Sequence, residues 1–172
     1  MRERIATIFA RQDCDSLVVL FASEGGGTVD GLALYNFLQS LPRPIHFHAV
    51  GNIGSIAIPV FCGAQKRTCA KISRFSFHTY DWRFSGRQTL VRILEASQRL
   101  KDDIEISRKI VESRTRIPAK RLAELYRDTA TPTIFSPEEA KQFGLVEDII
   151  EINSSGATLK NTVIWTVDWP SS

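Results

Sequence analysis

Residues 16–28 read SLVVLFASEGGGT: a short apolar run rich in β-branched residues that breaks into three successive glycines. An apolar run this short, ended by glycine, predicts a strand buried on both faces, as in a parallel sheet. The residues after it, 29–41, place Leu32, Leu34, Tyr35, Leu38 and Leu41 at helical spacing and stop at Pro42 and Pro44. Strand, glycine loop and helix in that order are the first half of a βαβ unit. At Gly25-Gly26-Gly27 no Cβ blocks the backbone, so its N–H groups are free to hold a phosphate or an oxyanion. A plain strand-to-helix turn is the alternative. A P-loop is excluded because no Gly-Lys-Ser/Thr comes after it.

The pattern continues outward on both sides. Residues 2–11 carry Ile5, Ile8 and Phe9 at amphipathic spacing. Residues 45–50 form a second strand, Gly51-Asn52-Ile53-Gly54 a tight turn, and residues 55–63 a nearly apolar helix with Pro59 in its first turn. A third strand lies within residues 71–78, alternating around Phe75 and Phe77. Residues 88–113 form the longest helix, with Leu90, Ile93, Leu94, Leu100, Ile104 and Val111 on one stripe. Pro118 starts another helix. Ser136-Pro137-Glu138-Glu139 is a capping box with proline at the first turn, and residues 145–152 form a last strand. The resulting order, α-β-α-β-α-β-α-α-β, predicts an α/β layered fold with a mostly parallel sheet, whose functional loops lie at the strand C-termini.

Composition narrows the function classes. The chain has 172 residues, 43% hydrophobic and 24% charged, with a formal net charge of +3. These values suit a single globular domain over residues 1–152 with a C-terminal extension over 153–172, in which residues 162–167 could add a strand. The charge excess is too small to argue for nucleic acid, and basic and acidic residues interleave from Arg99 to Arg127 as on a solvated helical face. No apolar run reaches a membrane span or a signal peptide, so a cytoplasmic protein is expected. Cys14, Cys62 and Cys69 have no metal-ligand spacing and read as reduced thiols. His46 and His48 share a strand face without a third ligand, which points to a structural pair. No metal and no cofactor is implied.

Two loops are chemically suggestive. Ser55 opens a buried helix after a strand and a turn, either as a helix N-cap or as a nucleophile on a sharp corner. His78 closes the third strand near the same sheet edge and is the candidate base.

Taken in order, these segments resemble the proteolytic subunit of the Clp protease, in the ClpP/crotonase fold group. The resemblance covers about residues 5–151. Ser23-Glu24-Gly25-Gly26 is similar to the family's Ser-Pro-Gly-Gly. Gly51-Asn52-Ile53-Gly54-Ser55-Ile56-Ala57 is similar to its Gly-x-Ala-Ala-Ser-Met-Gly, and Gly63-Ala64-Gln65-Lys66-Arg67 to its Gly-Ala-Lys-Gly-Lys-Arg. Residues 73–78 match the strand bearing its histidine, and Glu139-Ala140 with Phe143-Gly144-Leu145-Val146 its closing Glu-Ala and Tyr-Gly-Leu-Val. The resemblance implies a ClpP/crotonase-like fold with a protruding long helix at residues 88–113. It implies a serine endopeptidase in which Ser55 attacks, His78 moves the proton, and the N–H groups of Gly26 and Ile56 hold the oxyanion. It also implies a heptamer-based ring that takes unfolded polypeptide or peptides.

Three features depart from the family. Pro132 stands where the triad aspartate is expected, and Asp128 belongs to an Arg-Asp-Thr that is separate from the triad. No counterpart of the axial segment precedes Arg2, which argues against dependence on a Clp ATPase. The tail with Trp165 and Trp169 runs past the usual end. The lost aspartate leaves a second reading open, an inactive ring or scaffold subunit. A crotonase-type acyl-CoA enzyme would use the same glycine loop, but His78 at the peptidase position argues against it.

Overall fold

The computed structural model describes residues 1–11, 16–127 and 131–150. The tail beyond residue 150, Cys14 and Asp128 lie outside them, with the expectations attached to them. The elements are α1 (Arg2–Arg11), β1 (Leu17–Ser23), α2 (Thr28–Gln39), β2 (Ile45–Gly54), α3 (Ala57–Cys62), β3 (Lys66–Cys69), β4 (Arg74–Phe77), α4 (Leu90–Arg114), α5 (Ala119–Leu125), β5 (Thr133–Phe135), α6 (Pro137–Gln142) and β6 (Asp148–Ile149). They form the expected α/β fold with a mostly parallel sheet: only the β4–β5 pair is antiparallel. Among the described residues no helix is long and apolar enough to cross a membrane.

The sheet is organised around β2. Strand β1 runs parallel along one side, from Leu17 opposite Ile45 to Ser23 opposite Ile53. The other side is shared in succession. β3 pairs with His46 to Ala49, and β4 pairs with Asn52 to Gly54. The change of neighbour falls at Val50–Gly51, where the β1 register also slips between Phe21 and Ser23. A slip of this kind bends a strand and re-aims its next residues. This corrects the reading of residues 51–54 as a turn: they continue β2. A glycine-rich tetrapeptide looks like a turn locally, but here β4 supplies the missing ladder.

Two further strands have no counterpart in the sequence pattern. β3 is short and begins Lys66-Arg67, and β5 lies in the loop after Pro132. Nor is β1 buried on both faces. It is an edge strand whose Val18 and Leu20 are about half exposed, because no described element of the chain covers that side.

A row of phenylalanines fills the core. Phe21 stacks on Phe47 at 4.8 Å between centroids, Phe47 and Phe75 both meet Phe61, and Phe77 meets Phe135 at 5.0 Å. All six residues of α3 are buried, packed on β2, α2 and α4. The stripe on α4 divides. Val111 is buried and Leu100 and Ile104 pack on the core, but Leu90 is 70% and Leu94 60% exposed. The N-terminal half of the long helix therefore protrudes with an uncovered apolar face. Its charged face carries the expected pairs, Arg108 with Glu105 at 2.8 Å and with Glu112 at 3.3 Å.

Arg67 holds the far side together. Its buried guanidinium donates to five carbonyls: Leu145 at 2.8 Å, Arg114 at 2.9 Å, Ala64 and Gly144 at 3.2 Å, and Cys62 at 3.5 Å. These carbonyls lie at the close of α3, at the end of α4 and just after α6. Arg114 adds bonds to the Cys62 and Ala64 carbonyls. Replacing Arg67 by methionine keeps the apolar stem but orphans several buried carbonyls. The expected loss is about 3 kcal/mol, read from urea unfolding. Arg114→Met leaves Arg67 in place to serve the same two carbonyls and is expected to lose about 1 kcal/mol.

Candidate active site

The end of β2 is a tight corner. Ser55 has φ +55°, and it is the one non-glycine residue with positive φ among the described residues. For an L-residue this left-handed conformation costs about 1–2 kcal/mol. Neighbouring strands and turns hold it there. The Ser55 N–H donates to the Ser76 carbonyl at 3.0 Å, and the Ser55 carbonyl accepts from the Ile58 N–H at 3.0 Å. The flanking Ile53 and Ile56 are buried. The Ser55 side chain caps nothing: the N-cap position of α3 is Ile56, without a side-chain cap. The N-cap reading of Ser55 is thereby set aside, and its half-exposed hydroxyl has no protein partner among the described residues.

The glycine loop lies directly against this corner. A Cβ at Gly25 would stand 2.7 Å from Ser55 Cβ, 3.0 Å from the Gly54 carbonyl and 3.3 Å from Ser55 Oγ. Gly25 also has φ +108° and Gly26 φ +140°, a region few side-chain-bearing residues enter. So the loop must be glycine on two grounds, approach and torsion. A Cβ at Gly31 would lie 2.3 Å from Ile56 Cγ1, so α2 too needs a glycine to seat on the corner. The backbone N–H groups of Gly26 and Ile56 have no protein acceptor among the described residues. Thr28, the first residue of α2, donates its hydroxyl to Asp103 of α4 at 2.5 Å, which ties the loop to the long helix.

His78 comes directly after β4 at the same end of the sheet, since Gly54 pairs with Ser76. The structure thus gathers Ser55, His78 and the glycine loop at one edge. It does not join Ser55 Oγ to the His78 ring by a hydrogen bond. The His78 Nδ1 lies 2.5 Å from the Thr79 carbonyl oxygen. A carbonyl can only accept, so Nδ1 donates the hydrogen of this bond, and in the neutral ring Nε2 then holds the lone pair. Strand β5 runs antiparallel to β4, with Phe77 opposite Thr133. The paired register ends there, with His78 just after β4 and Pro132 just before β5.

The other sulfur and imidazole groups stand apart. The His46 Nε2 and His48 Nδ1 both meet Thr68 Oγ1, at 2.7 and 2.8 Å. One hydroxyl lies within hydrogen-bond reach of both rings. Burial, aided by the Lys66 charge, lowers the pKa of His46. Burial pushes the Cys62 and Cys69 thiols up to about 11, so neither is a thiolate at neutral pH. No group of three metal-ligating side chains occurs among the described residues.

The Clp protease family model matches residues 3–153. The chain belongs to the Clp protease family. Among curated proteins it is similar to the ATP-dependent Clp protease proteolytic subunit of Illicium oligandrum, 27% identical over 150 residues that cover 84% of this chain and 70% of the relative. Among solved structures it is similar to a point mutant of ClpP1 from Listeria monocytogenes, with a TM-score of 0.73, 16% identity, and coverage of 87% of this chain and 81% of that one. At that identity the likeness establishes the fold.

Three features of this Clp-family site carry no sequence signal: the Thr79 carbonyl on His78, the contact of Gly31 with Ile56, and a bond from Asn52 Nδ2 to Glu24 Oε2 at 2.6 Å. Each joins groups whose meeting depends on the folded backbone. The glycine constraint gives a direct test. Gly25→Ala should lower stability by about 2 kcal/mol or more, combining torsional strain with displacement of Ser55. Gly86, at φ +72° with nothing within 4 Å of a built Cβ, should lose only about 1 kcal/mol as Gly86→Ala. Urea midpoints of the two variants give the comparison.

Proposed function

We propose that the chain is a cytoplasmic Clp-type serine peptidase subunit that cleaves peptides or unfolded polypeptide inside an oligomeric chamber. The observation that carries this reading is the Ser55 corner: a strained serine with an unpartnered hydroxyl, pressed against a glycine loop with free N–H groups. In the reaction Ser55 Oγ attacks the scissile carbonyl. The His78 Nε2 takes the hydroxyl proton and returns it to the leaving amine. The N–H groups of Gly26 and Ile56 receive the developing oxyanion. The hydrogen bond between Ser55 and His78 forms as substrate binds, since catalytic hydrogen bonds are often loose in an empty site.

The Thr79 carbonyl fixes the His78 tautomer, but a neutral acceptor stabilises the imidazolium less than a carboxylate does. Loss of a triad aspartate lowers turnover by about 10⁴-fold in a well-studied case, so a slow enzyme is expected. Self-association follows from the uncovered apolar half of α4, which fits ring stacking of heptamer-based rings. No ATPase partner forms part of this reading. A second reading, a ring subunit without activity, is favoured by the sequence, where Pro132 stands at the place the family resemblance expects the triad aspartate.

Labelling with a fluorophosphonate, followed by intact mass, separates the two. The peptidase reading expects one label per chain on the wild type and none on Ser55→Ala, with the same oligomeric mass for both. An assembled, folded protein that takes no label would establish the inactive subunit instead. Restoring the carboxylate is the complementary measurement. Pro132→Asp should raise peptide turnover at least about tenfold if that position faces His78, because the new side chain supplies the charge the carbonyl lacks. An unchanged rate would mean that the Thr79 carbonyl already does all that the position allows.

A further inference from the structure

We propose that Glu24 makes this site prefer a lysine or arginine side chain next to the scissile bond. The proposal rests on the peptidase reading above and names a substrate class for it. Glu24 is the residue between the end of β1 and the glycines. Because the register slips between Phe21 and Ser23, the loop leaves β1 across the end of β2. The Glu24 carboxylate is drawn to that strand: Oε2 accepts from Asn52 Nδ2 at 2.6 Å and lies 3.4 Å from where a Cβ on Gly54 would stand. Gly54 precedes Ser55, and Gly25, the residue after Glu24, touches Ser55. The carboxylate thus lies beside Gly54, the residue before Ser55, on a loop whose next residue, Gly25, packs against Ser55.

Its electrostatic state is equally specific. Glu24 is exposed, and its hydrogen-bond partner is a neutral amide. No cation pairs with it among the described residues. The amide occupies one oxygen and limits the rotamer, so the other oxygen is held in place at little further entropic cost. A scissile carbonyl seated on the N–H groups of Gly26 and Ile56 brings the adjoining substrate side chain over this loop. A guanidinium or ammonium there meets a positioned, uncompensated carboxylate. An acidic side chain meets a like charge. The family's Ser-Pro-Gly-Gly loop has proline at this position, so the charge belongs to this sequence.

Solvent screening keeps the effect moderate. Internally quenched peptides identical except for arginine, glutamine or glutamate immediately before or after the cleaved bond provide the test, with the full assembled chain as enzyme. The wild type should show kcat/KM for arginine about tenfold above glutamine at one of these positions, with glutamate below both. Glu24→Gln retains an acceptor for Asn52 and removes only the charge. In that variant the arginine-to-glutamine ratio should fall toward one, and about 0.5 M salt should lower the wild-type ratio in the same direction. A wild-type ratio near one at both positions, or a ratio unchanged in Glu24→Gln, overturns the proposal while fluorophosphonate labelling of Ser55 leaves the peptidase reading standing. Absence of both labelling and cleavage overturns the two together.

Discussion

The buried guanidinium of Arg67 is the contact on which the placement of the site depends. It has five carbonyl acceptors and, among the described residues, no carboxylate partner. Carbonyls at helix C-termini are unsatisfied within the helix and carry the negative end of the dipole, so one planar fork of donors can serve several helices at once. Here it gathers the ends of α3 and α4 and the turn after α6. Helix α3 is the consequential member. It is buried over its whole length, and its other end begins at the Ser55 corner. Clamping its C-terminus fixes where its N-terminus can lie. A residue some distance from Ser55 therefore sets the position of Ser55 through a rigid rod of six residues.

Strand β2 supplies the second constraint. It exchanges β3 for β4 at Val50–Gly51 while β1 slips register on its other side. Had β2 ended with β3 at Ala49, the serine corner would stand well before the histidine strand. The change of partner extends β2 by the length that brings Gly54 beside Ser76 and Ser55 within hydrogen-bond reach of the Ser76 carbonyl. Functional groups at the carboxyl ends of parallel strands are a general consequence of this architecture. In this chain the end in question exists only because β2 outlasts its first neighbour.

The features legible in the sequence divide along the same line. The capping box at Ser136 and Glu139 is legible, and both of its bonds form, at 2.8 and 3.2 Å, because every group in it lies within one helical turn. The long helix is legible because its stripe repeats over many turns. The short strands β3 and β5 are not, since Lys66-Arg67 and Thr133-Ile134 carry no alternation and owe their conformation to β2 and β4. The same holds for the outward face of β1. Its apolar residues suggest burial, but whether a face is covered depends on what packs there. Ser55 and His78 stand out through order and resemblance, and the structure brings them to one edge. The Thr79 acceptor and the Glu24–Asn52 bond depend on backbone direction and on a contact between residues 28 positions apart.

The acceptor on His78 separates two jobs that a triad aspartate performs together. One is geometric: it selects the tautomer and stops the ring from turning. The other is electrostatic: it offsets the positive charge that the ring acquires in the transition state. In the mechanism proposed above, the Thr79 carbonyl would do the first, because it accepts from Nδ1 and would leave Nε2 as the base. Its partial charge does little of the second. The ring must therefore draw compensation from elsewhere, and the anionic intermediate itself is the nearest source. That would make turnover more dependent on the proposed oxyanion donors than in a complete triad, and the loop that carries them holds Gly25 and Gly26 at positive φ. On the proposed mechanism the catalytic burden would move from a side chain to the backbone, and the glycines of the loop, not a carboxylate, would be the part of the site least able to change.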